Sequence, residues 1–410
     1  MIHAPDDRAP LPFVRRLALR NYKSVGNCDV ALGRLTVLVG PNGAGKSNLL
    51  DSLRFISDSL RYSVEYALHS RGGINEVRRR SKGHPTHFGI RLDMILPAGG
   101  SAIYAFQIGA LSAGGYVVQE EKCRVLSLKA LTKEAHYHVV AGKVVSASQA
   151  MQAAIEPDRL YLGAISALAE FRPLYDALSR MGFYSLNPDR MRDLQDPDVG
   201  EVLRRDGGNI ASVLGRLDPS AKARVEEYLG AVVPSVKGVD LKRLGPKETL
   251  EFRQDVRGDD APWRFLAANM SDGTLRVLGI LVALFQAVPR TQRPIPLIGV
   301  EEPELALHPA ATNALADAIL EGRYRTQVLI TSHSPDLLDN PDIGSDSILA
   351  VVSEKGQTIV GPVDDASRTT LKEGLFTSGE LLRMQQIQPE RRAYEEAERQ
   401  LNLFEEPSEP

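Results

Sequence analysis

The sequence predicts an α/β fold: a mixed sheet built around one glycine-rich loop, with an antiparallel β region and an inserted helical lobe. Three observations carry this. A short β-branched run, Leu35-Thr36-Val37-Leu38-Val39, passes through a glycine-rich turn into Ser47–Leu60, where Leu49, Leu50, Leu53 and Ile56 share one helical face. Residues 86–140 hold several short alternating runs separated by glycine pairs. Strand-like runs return late in the chain, at Pro296–Val300, Val328–Thr331 and Ile348–Val352, with a helical pattern near Ala310–Leu320 between the first two.

Each element follows from local pattern. Residues 13–40 alternate and then turn continuously apolar, which reads as strands ending in a buried one. The runs His87–Leu96, Ala102–Gly109 and Tyr116–Leu128 read as an antiparallel sheet. Residues 148–232 are mostly helical in pattern, interrupted by Asn187-Pro188 and Gly207-Gly208, and strands return from about 236. Ser271–Val288 reads as a helix, with Leu275, Leu278, Val282 and Phe285 spaced 3, 4 and 3 apart. The last twenty residues are acidic and read as loosely held. Four segments result: an N-terminal lobe over 1–147, a helical insert over 148–235, a C-terminal lobe over 236–388 and an acidic tail over 389–410. There is no internal repeat and no sustained heptad.

Composition sets the outer limits. The 410 residues are 43% hydrophobic and 25% charged, which excludes disorder, collagen and coiled coil for the bulk of the chain. Lys+Arg 49 against Asp+Glu 52 gives a net charge of -3, so a strongly basic nucleic-acid coat is excluded while a local basic patch is not. Cys28 and Cys123 are the only cysteines; they build neither a disulfide scaffold nor a CxxC zinc site and fit a reducing cytoplasm. The N-terminus has acids and prolines where a signal peptide needs a basic start and an apolar core. The longest apolar run, Val277–Phe285, is far short of the ~20 residues that span a bilayer. A membrane process would need another subunit to do the spanning.

Chemistry concentrates at two places. Gly40-Pro41-Asn42-Gly43-Ala44-Gly45-Lys46-Ser47 matches GxxxxGK[ST] in full, between a predicted strand and a predicted helix. Glycines let backbone N–H groups close around phosphate oxygens, and the helix points its positive end at the same charge. Lys46 is expected to reach the β- and γ-phosphates, and the Ser47 hydroxyl to bind Mg²⁺. The second place is Glu301-Glu302, directly after the apolar run Ile295–Val300. Two carboxylates at a buried strand end suit a Walker B element: Glu301 holding Mg²⁺ directly or through a water, Glu302 polarising the attacking water as general base. The usual first residue is Asp, and Glu is one methylene longer. More than half the chain separates Lys46 from Glu302. Large material is therefore inserted between the two halves of one nucleotide site.

These residues resemble the ABC-type ATPase heads of the SMC/RecF-like group. Leu19-Arg20-Asn21-Tyr22-Lys23-Ser24 is similar to the group's first-strand motif, ahead of the loop and its continuation Asn48-Leu49-Leu50. Asn269-Met270-Ser271-Asp272-Gly273-Thr274 resembles the ABC signature, although Asp272 and Thr274 depart from the most familiar Gly and Gln. Glu301-Glu302-Pro303-Glu304 continues into Leu305-Ala306-Leu307-His308-Pro309, similar to the D-loop, and Thr331-Ser332-His333-Ser334-Pro335 is similar to the switch-histidine loop. Weaker similarity extends over Leu375–Met384. Within the group the arrangement most resembles stand-alone bacterial "predicted ATPases" of the overcoming-lysogenization and anti-phage-defence kind. The resemblance implies an ABC-ATPase head that binds and hydrolyses ATP with Mg²⁺. Asn21, Lys23, Ser24, Asn42, Gly43, Ala44, Gly45, Lys46, Ser47 and Asn48 would hold the nucleotide. It also implies a dimer or higher oligomer closed by ATP. Ser271, Asp272 and Gly273 would meet the nucleotide of a second head, and His333 would orient water beside Glu302. Gln107 and Gln119 both lie on plausible strands for the Q-loop, which the sequence does not place.

Two absences narrow the expectation. Without long heptads in the insert, the coiled-coil arm of chromosome-organising proteins is missing. Less than a fifth of the chain follows His333, too little for the Toprim nuclease domain of full overcoming-lysogenization proteins, so a nuclease or toxin would lie on another chain. The leading reading is a switch in anti-phage defence that works with a separate effector or on DNA. A DNA-repair or replication-associated ATPase is the second. A transporter ATPase subunit is the third, and the first-strand motif and Glu301-Glu302-Pro303-Glu304 argue against it.

Other features are weaker. His84 with His87 and His136 with His138 lack a carboxylate or cysteine at ligand spacing and read as solvated residues. Arg78-Arg79-Arg80-Ser81-Lys82 reads equally as a solvated loop or a phosphate contact. Trp263 and Phe265 read as core. Gln400-Leu401-Asn402-Leu403-Phe404 resembles the peptide by which bacterial proteins dock on the sliding clamp; the competing and favoured expectation is that Leu401, Leu403 and Phe404 pack back onto the head.

Overall fold

The computed structural model describes residues 12–81, 83, 85–97, 99–126, 134–148, 156–199, 202–286, 295–305 and 307–405. Lys82, His84, Ala306, the far end of the Ser271–Val288 helix and the acidic residues from Glu406 onward lie outside them. The strands begin with β1 Val14–Tyr22, β2 Val25–Ala31, β3 Leu35–Val39, β4 His87–Ile95, β5 Ser101–Ala110, β6 Tyr116–Leu126, β7 Glu134–Val140 and β8 Lys143–Ala147. They continue with β9 Gly182–Tyr184, β10 Val236–Leu244, β11 Lys247–Gln254, β12 Trp263–Leu266, β13 Leu297–Glu301, β14 Gln327–Ser332, β15 Ile348–Glu354 and β16 Gln357–Pro362. The chain forms two compact units.

The loop unit comprises Leu11–Met181, Ser345–Leu375 and Gln385–Pro410. Its strands run in the order β8-β7-β6-β5-β4-β1-β2-β16-β15-β3. The stretch β4–β8 is an antiparallel meander, joined to β1 by the register Leu17↔Leu92. β3 pairs parallel with β15, and all five of its residues are buried, as a parallel strand covered on both faces requires. The helix that follows, Lys46–Arg61, buries Leu49, Leu50, Leu53, Phe55 and Ile56. Phe55 meets Phe88 edge-on at 5.3 Å and Tyr22 at 6.2 Å between ring centroids, which fixes the helix against β1 and β4.

Residues 391–405 are not loose. Arg391–Gln400 is a helix, and Leu401 and Leu403 sit in a core cluster with Ala18, Phe404 packing against them. Acidic composition is misleading here because two buried leucines and four backbone carbonyls decide the docking. Arg20 donates to the Leu401 carbonyl, Arg91 to those of Leu403 and Glu405, and Lys122 to that of Phe404. The anchors that clamp docking needs are spent on the chain's own sheet.

The carboxylate unit comprises Gly182–Gly344 and Phe376–Met384. β13 lies between β14 and β9 and is parallel to both. β9 interrupts the stretch that reads as helical: Gly182 pairs with Ile298. The helix Asp272–Phe285 buries eleven of its fourteen residues, so it is a core helix rather than a surface one. A separate antiparallel sheet runs β10-β11-β12. Trp263 is not core: it lies on the edge strand β12, 54% exposed, with its indole N–H on Asp259. Among the described residues, no helix is long and apolar enough to cross a membrane.

Candidate nucleotide site

In the loop unit, the phosphate loop leaves β3 and enters the helix Lys46–Arg61 through Gly45, whose φ is +101°. A Cβ there would lie 2.1 Å from the Thr358 hydroxyl, so both backbone and space demand glycine. Asn42 and Gly43 are exposed at the apex, Ala44 is buried, and Ser47 is exposed on the first helical turn, where N–H groups have no intrahelical partner. The Lys46 ammonium donates to the carbonyls of Gly40 at 2.7 Å and Pro41 at 3.1 Å.

Ser24 and Asn48 form one chain with a residue that the sequence did not single out. Asn48 Nδ2 donates to Ser24 Oγ at 2.6 Å, Ser24 Oγ meets Thr358 Oγ1 at 2.6 Å, and Thr358 Oγ1 donates to the Ala44 carbonyl at 2.8 Å. Thr358 comes from β16, more than three hundred residues downstream, so no local pattern marks it. Asn21 and Lys23 flank the β1–β2 turn with φ of 55° and 49°. The Lys23 ammonium lies 2.6 Å from Asp51. Asp51 also accepts from Tyr22 and Arg71. Burial pushes its carboxyl up, but Arg71 and Lys23 outweigh that and hold it at about 2. Gln107 and Gln119 bond one another at 2.9 Å across adjacent strands.

In the carboxylate unit, the register Glu301↔Thr331 brings the C-terminal ends of two parallel strands side by side. Active groups gather at such ends in α/β sheets. Glu302 has φ +44°, a left-handed conformation uncommon for a residue with a side chain. Its N–H donates to the Thr331 carbonyl at 3.0 Å, and its carbonyl accepts from Leu305 N–H. His333 Nδ1 lies 3.1 Å from Glu302 Oε1, both side chains reaching solvent. Glu304 is buried, its Oε1 accepting from Ser332 Oγ at 2.7 Å and from His333 N–H at 3.3 Å. Burial pushes the Glu304 carboxyl above its ordinary range, and the Ser332 hydroxyl pulls partly the other way.

Ser271 caps the helix Asp272–Phe285, its hydroxyl accepting from Thr274 N–H at 3.2 Å. Ser271 and Asp272 are exposed, and Gly273 is partly so. Arg192 braces this segment by pairing with Asp272 and donating to the Met270 carbonyl at 3.0 Å. The sequence marked Asn187-Pro188 only as a break; Asn187 in fact caps the short helix Pro188–Arg192 that delivers Arg192. Each unit by itself carries a hard oxygen donor of the kind Mg²⁺ prefers, the Ser47 hydroxyl in one and the Glu301 carboxylate in the other.

The remaining expectations resolve simply. Among the described residues no group of three or more His, Cys, Asp and Glu could hold a metal ion. His138 pairs with Glu120, and His136 lies 3.7 Å from Glu134. Arg78 bonds Asn75 and the Pro85 carbonyl, Arg79 bonds Gln357, and Arg80 pairs with Glu76.

Comparison with known proteins agrees with this architecture. An SMC head bound to the C-winged helix domain of ScpA superposes with a TM-score of 0.51 at 15% identity, covering 87% of this chain and 99% of that one. An Smc head with an extended coiled coil, bound to the C-terminal domain of ScpA derived from Pyrococcus furiosus, gives 0.55 at 13% identity, covering 89% and 99%. The chain therefore has the fold of an SMC-type head, and its short helices include no long coiled coil among the described residues. In sequence it is 24% identical over 358 residues to the OLD nuclease of Thermus scotoductus, spanning 80% of this chain and 60% of that protein. It is 24% identical over 149 residues to the Old nuclease of Escherichia phage P2, spanning 34% and 25%. The chain thus spans less than two thirds of the length of these relatives. The family described as "AAA domain, putative AbiEii toxin, Type IV TA system" matches residues 35–106 and 160–339, more than half of the sequence, and the chain belongs to that AAA-domain family.

Proposed function

We propose that this chain is an ATP-hydrolysing head, closed by ATP against a second head, that works as a switch for a separate effector. The observation that carries the reading is the pairing of Glu302 with His333 at two parallel strand ends, in a chain that also holds a complete phosphate loop. In this reading Lys46 holds the β- and γ-phosphates, while Ser24 and Asn48 keep the loop in shape. Mg²⁺ on Ser47 and Glu301 would supply charge neutralisation at the phosphate oxygens. Glu302 takes a proton from the attacking water, and His333 holds that water and the γ-phosphate in register. Ser271 and Gly273 present a capped helix end to the nucleotide of the opposing head.

Defence is the favoured setting because two relatives carry the name OLD nuclease. Nuclease chemistry belongs to those proteins; for this chain we assign it to a separate effector, with DNA as the signal or the substrate. A role in DNA repair is the alternative, supported by the SMC-type fold alone. Calorimetry of Lys46→Ala tests the foundation: ATP binding should be lost, because the phosphate charge loses its main cation. Unchanged binding would overturn the assignment of the loop.

A further inference from the structure

The residues around Glu302 and His333 include one buried carboxylate to which the ATPase reading gives no work. Glu304 Oε1 accepts from both the Ser332 hydroxyl, at 2.7 Å, and the His333 N–H, at 3.3 Å. The Ser332 oxygen in turn accepts from Ser334 N–H at 3.0 Å. Three consecutive residues centred on the histidine are thereby tied, directly or through one hydroxyl, to a single carboxylate oxygen. The second oxygen, Oε2, is buried without a hydrogen-bond partner. Burying half of a carboxylate unsatisfied is unfavourable, and a neutral side chain would pack there at lower cost.

The arrangement has a mechanical consequence. On one side the Glu302 N–H donates to the Thr331 carbonyl at 3.0 Å and to Thr331 Oγ1 at 3.2 Å. On the other, Glu304 holds Ser332 and His333. The two segments are stitched together both before and after the reactive pair. The backbone that carries the imidazole is thereby held where the ring lies 3.1 Å from Glu302. Without the second stitch, residues 332–334 would be anchored only through the strand before them and the short helix Pro335–Leu338 after them.

We propose that Glu304 is the positioning residue for His333: it locks the 332–334 turn so that the imidazole stays aligned with the Glu302 carboxylate. This rests on the ATPase reading of the Glu302–His333 pair. Misplacing a reacting group by about 1 Å is worth up to about 100-fold in rate, with little change in ground-state binding. The effect belongs in kcat and not in the KM for ATP.

The test is steady-state ATP hydrolysis by the full chain carrying Glu304→Ala, Glu304→Gln, Ser332→Ala, the Glu304→Ala/Ser332→Ala pair and Glu302→Gln, each checked by thermal melting. Glu304→Ala should lower kcat about 10- to 100-fold with KM little changed. Glu304→Gln, which keeps an acceptor at Oε1, should recover most of the loss. The double variant should lose little more than Glu304→Ala alone, because both changes cut the same link. Should Glu304→Ala fail to fold, Ser332→Ala alone decides: lowered kcat at constant KM supports the role, and unchanged kcat overturns it. Full kcat in Glu304→Ala, or a loss that Glu304→Gln does not recover, also overturns it. Glu302→Gln separates the two levels. If it hydrolyses ATP normally, the underlying site is wrong; if it is impaired while Glu304→Ala is normal, only the positioning role falls.

Discussion

Leu403→Ala probes the docked tail. Leu403 is 1% exposed beside Ala18, and one of its methyls lies 2.4 Å from where a Cβ on Gly89 would sit. The substitution removes three buried carbons, about 2.4 kcal/mol at ~0.8 kcal/mol each, and leaves a cavity that raises the loss further. Because the segment is terminal, it can peel away while the sheet stays folded, so the loss appears first as local opening. At about 1.4 kcal/mol per decade, the open population rises roughly fiftyfold. Opening also removes the carbonyl acceptors of Arg20, Arg91 and Lys122. Arg91, only 2% exposed, would be left buried or half-buried without them. Hydrogen exchange at residues 401–405 should therefore accelerate by that factor, and deleting 400–410 should lower the melting temperature. Unchanged protection in Leu403→Ala, or a deletion variant that melts like the parent, would refute the docking argument and restore the tail as a free partner peptide.

Three further outcomes follow from particular contacts. Asp51 is held at about 2, below its ordinary 3.8, so it contributes stability that is present above pH 4 and lost as pH falls toward 2; Asp51→Asn should cost on the order of 2 kcal/mol at neutral pH and flatten that acid limb in denaturant titrations, and an unaltered limb would contradict the assignment. Gly45→Ala places a Cβ 2.1 Å from the Thr358 hydroxyl at φ +101°, so ATP affinity measured by calorimetry should fall at least about tenfold; parent-like affinity would show that the loop tolerates the side chain. Ser271→Arg should keep nucleotide binding and lose ATP-driven dimerisation in light scattering, since bulk then stands where a second nucleotide would dock; a variant that still dimerises with ATP argues against a composite site.

Much of the architecture was legible because its signals are local. The Leu35–Val39 run is buried on both faces, and the glycine loop after it has one sterically defined path into its helix. The apolar stripe of Lys46–Arg61 needs no distant partner to be recognised. What stayed hidden depends on contacts across the sequence. Thr358 reaches the phosphate loop from β16, and Arg192 reaches Asp272 from a short helix whose start looked like a break. The three-residue strand β9 is too short to show a period of two. Trp263 looked like core by residue type, but β12 is an edge strand that leaves the ring in water. The tail misled by its charge: Glu395, Glu396, Glu398 and Glu405 are exposed while Leu401 and Leu403, two residues apart, are buried. The left-handed backbone of Glu302 has no sequence signature at all, since glutamate rarely adopts it.

The central claim is that Glu302 activates water for attack on ATP bound at the Lys46 loop. Single-turnover hydrolysis of γ-labelled ATP by Glu302→Gln against the parent chain tests it most directly. The account predicts retained ATP binding, a hydrolysis step slowed by about 100-fold or more, and accumulation of an ATP-bound dimer. Phosphate release from Glu302→Gln at the parental rate would contradict it.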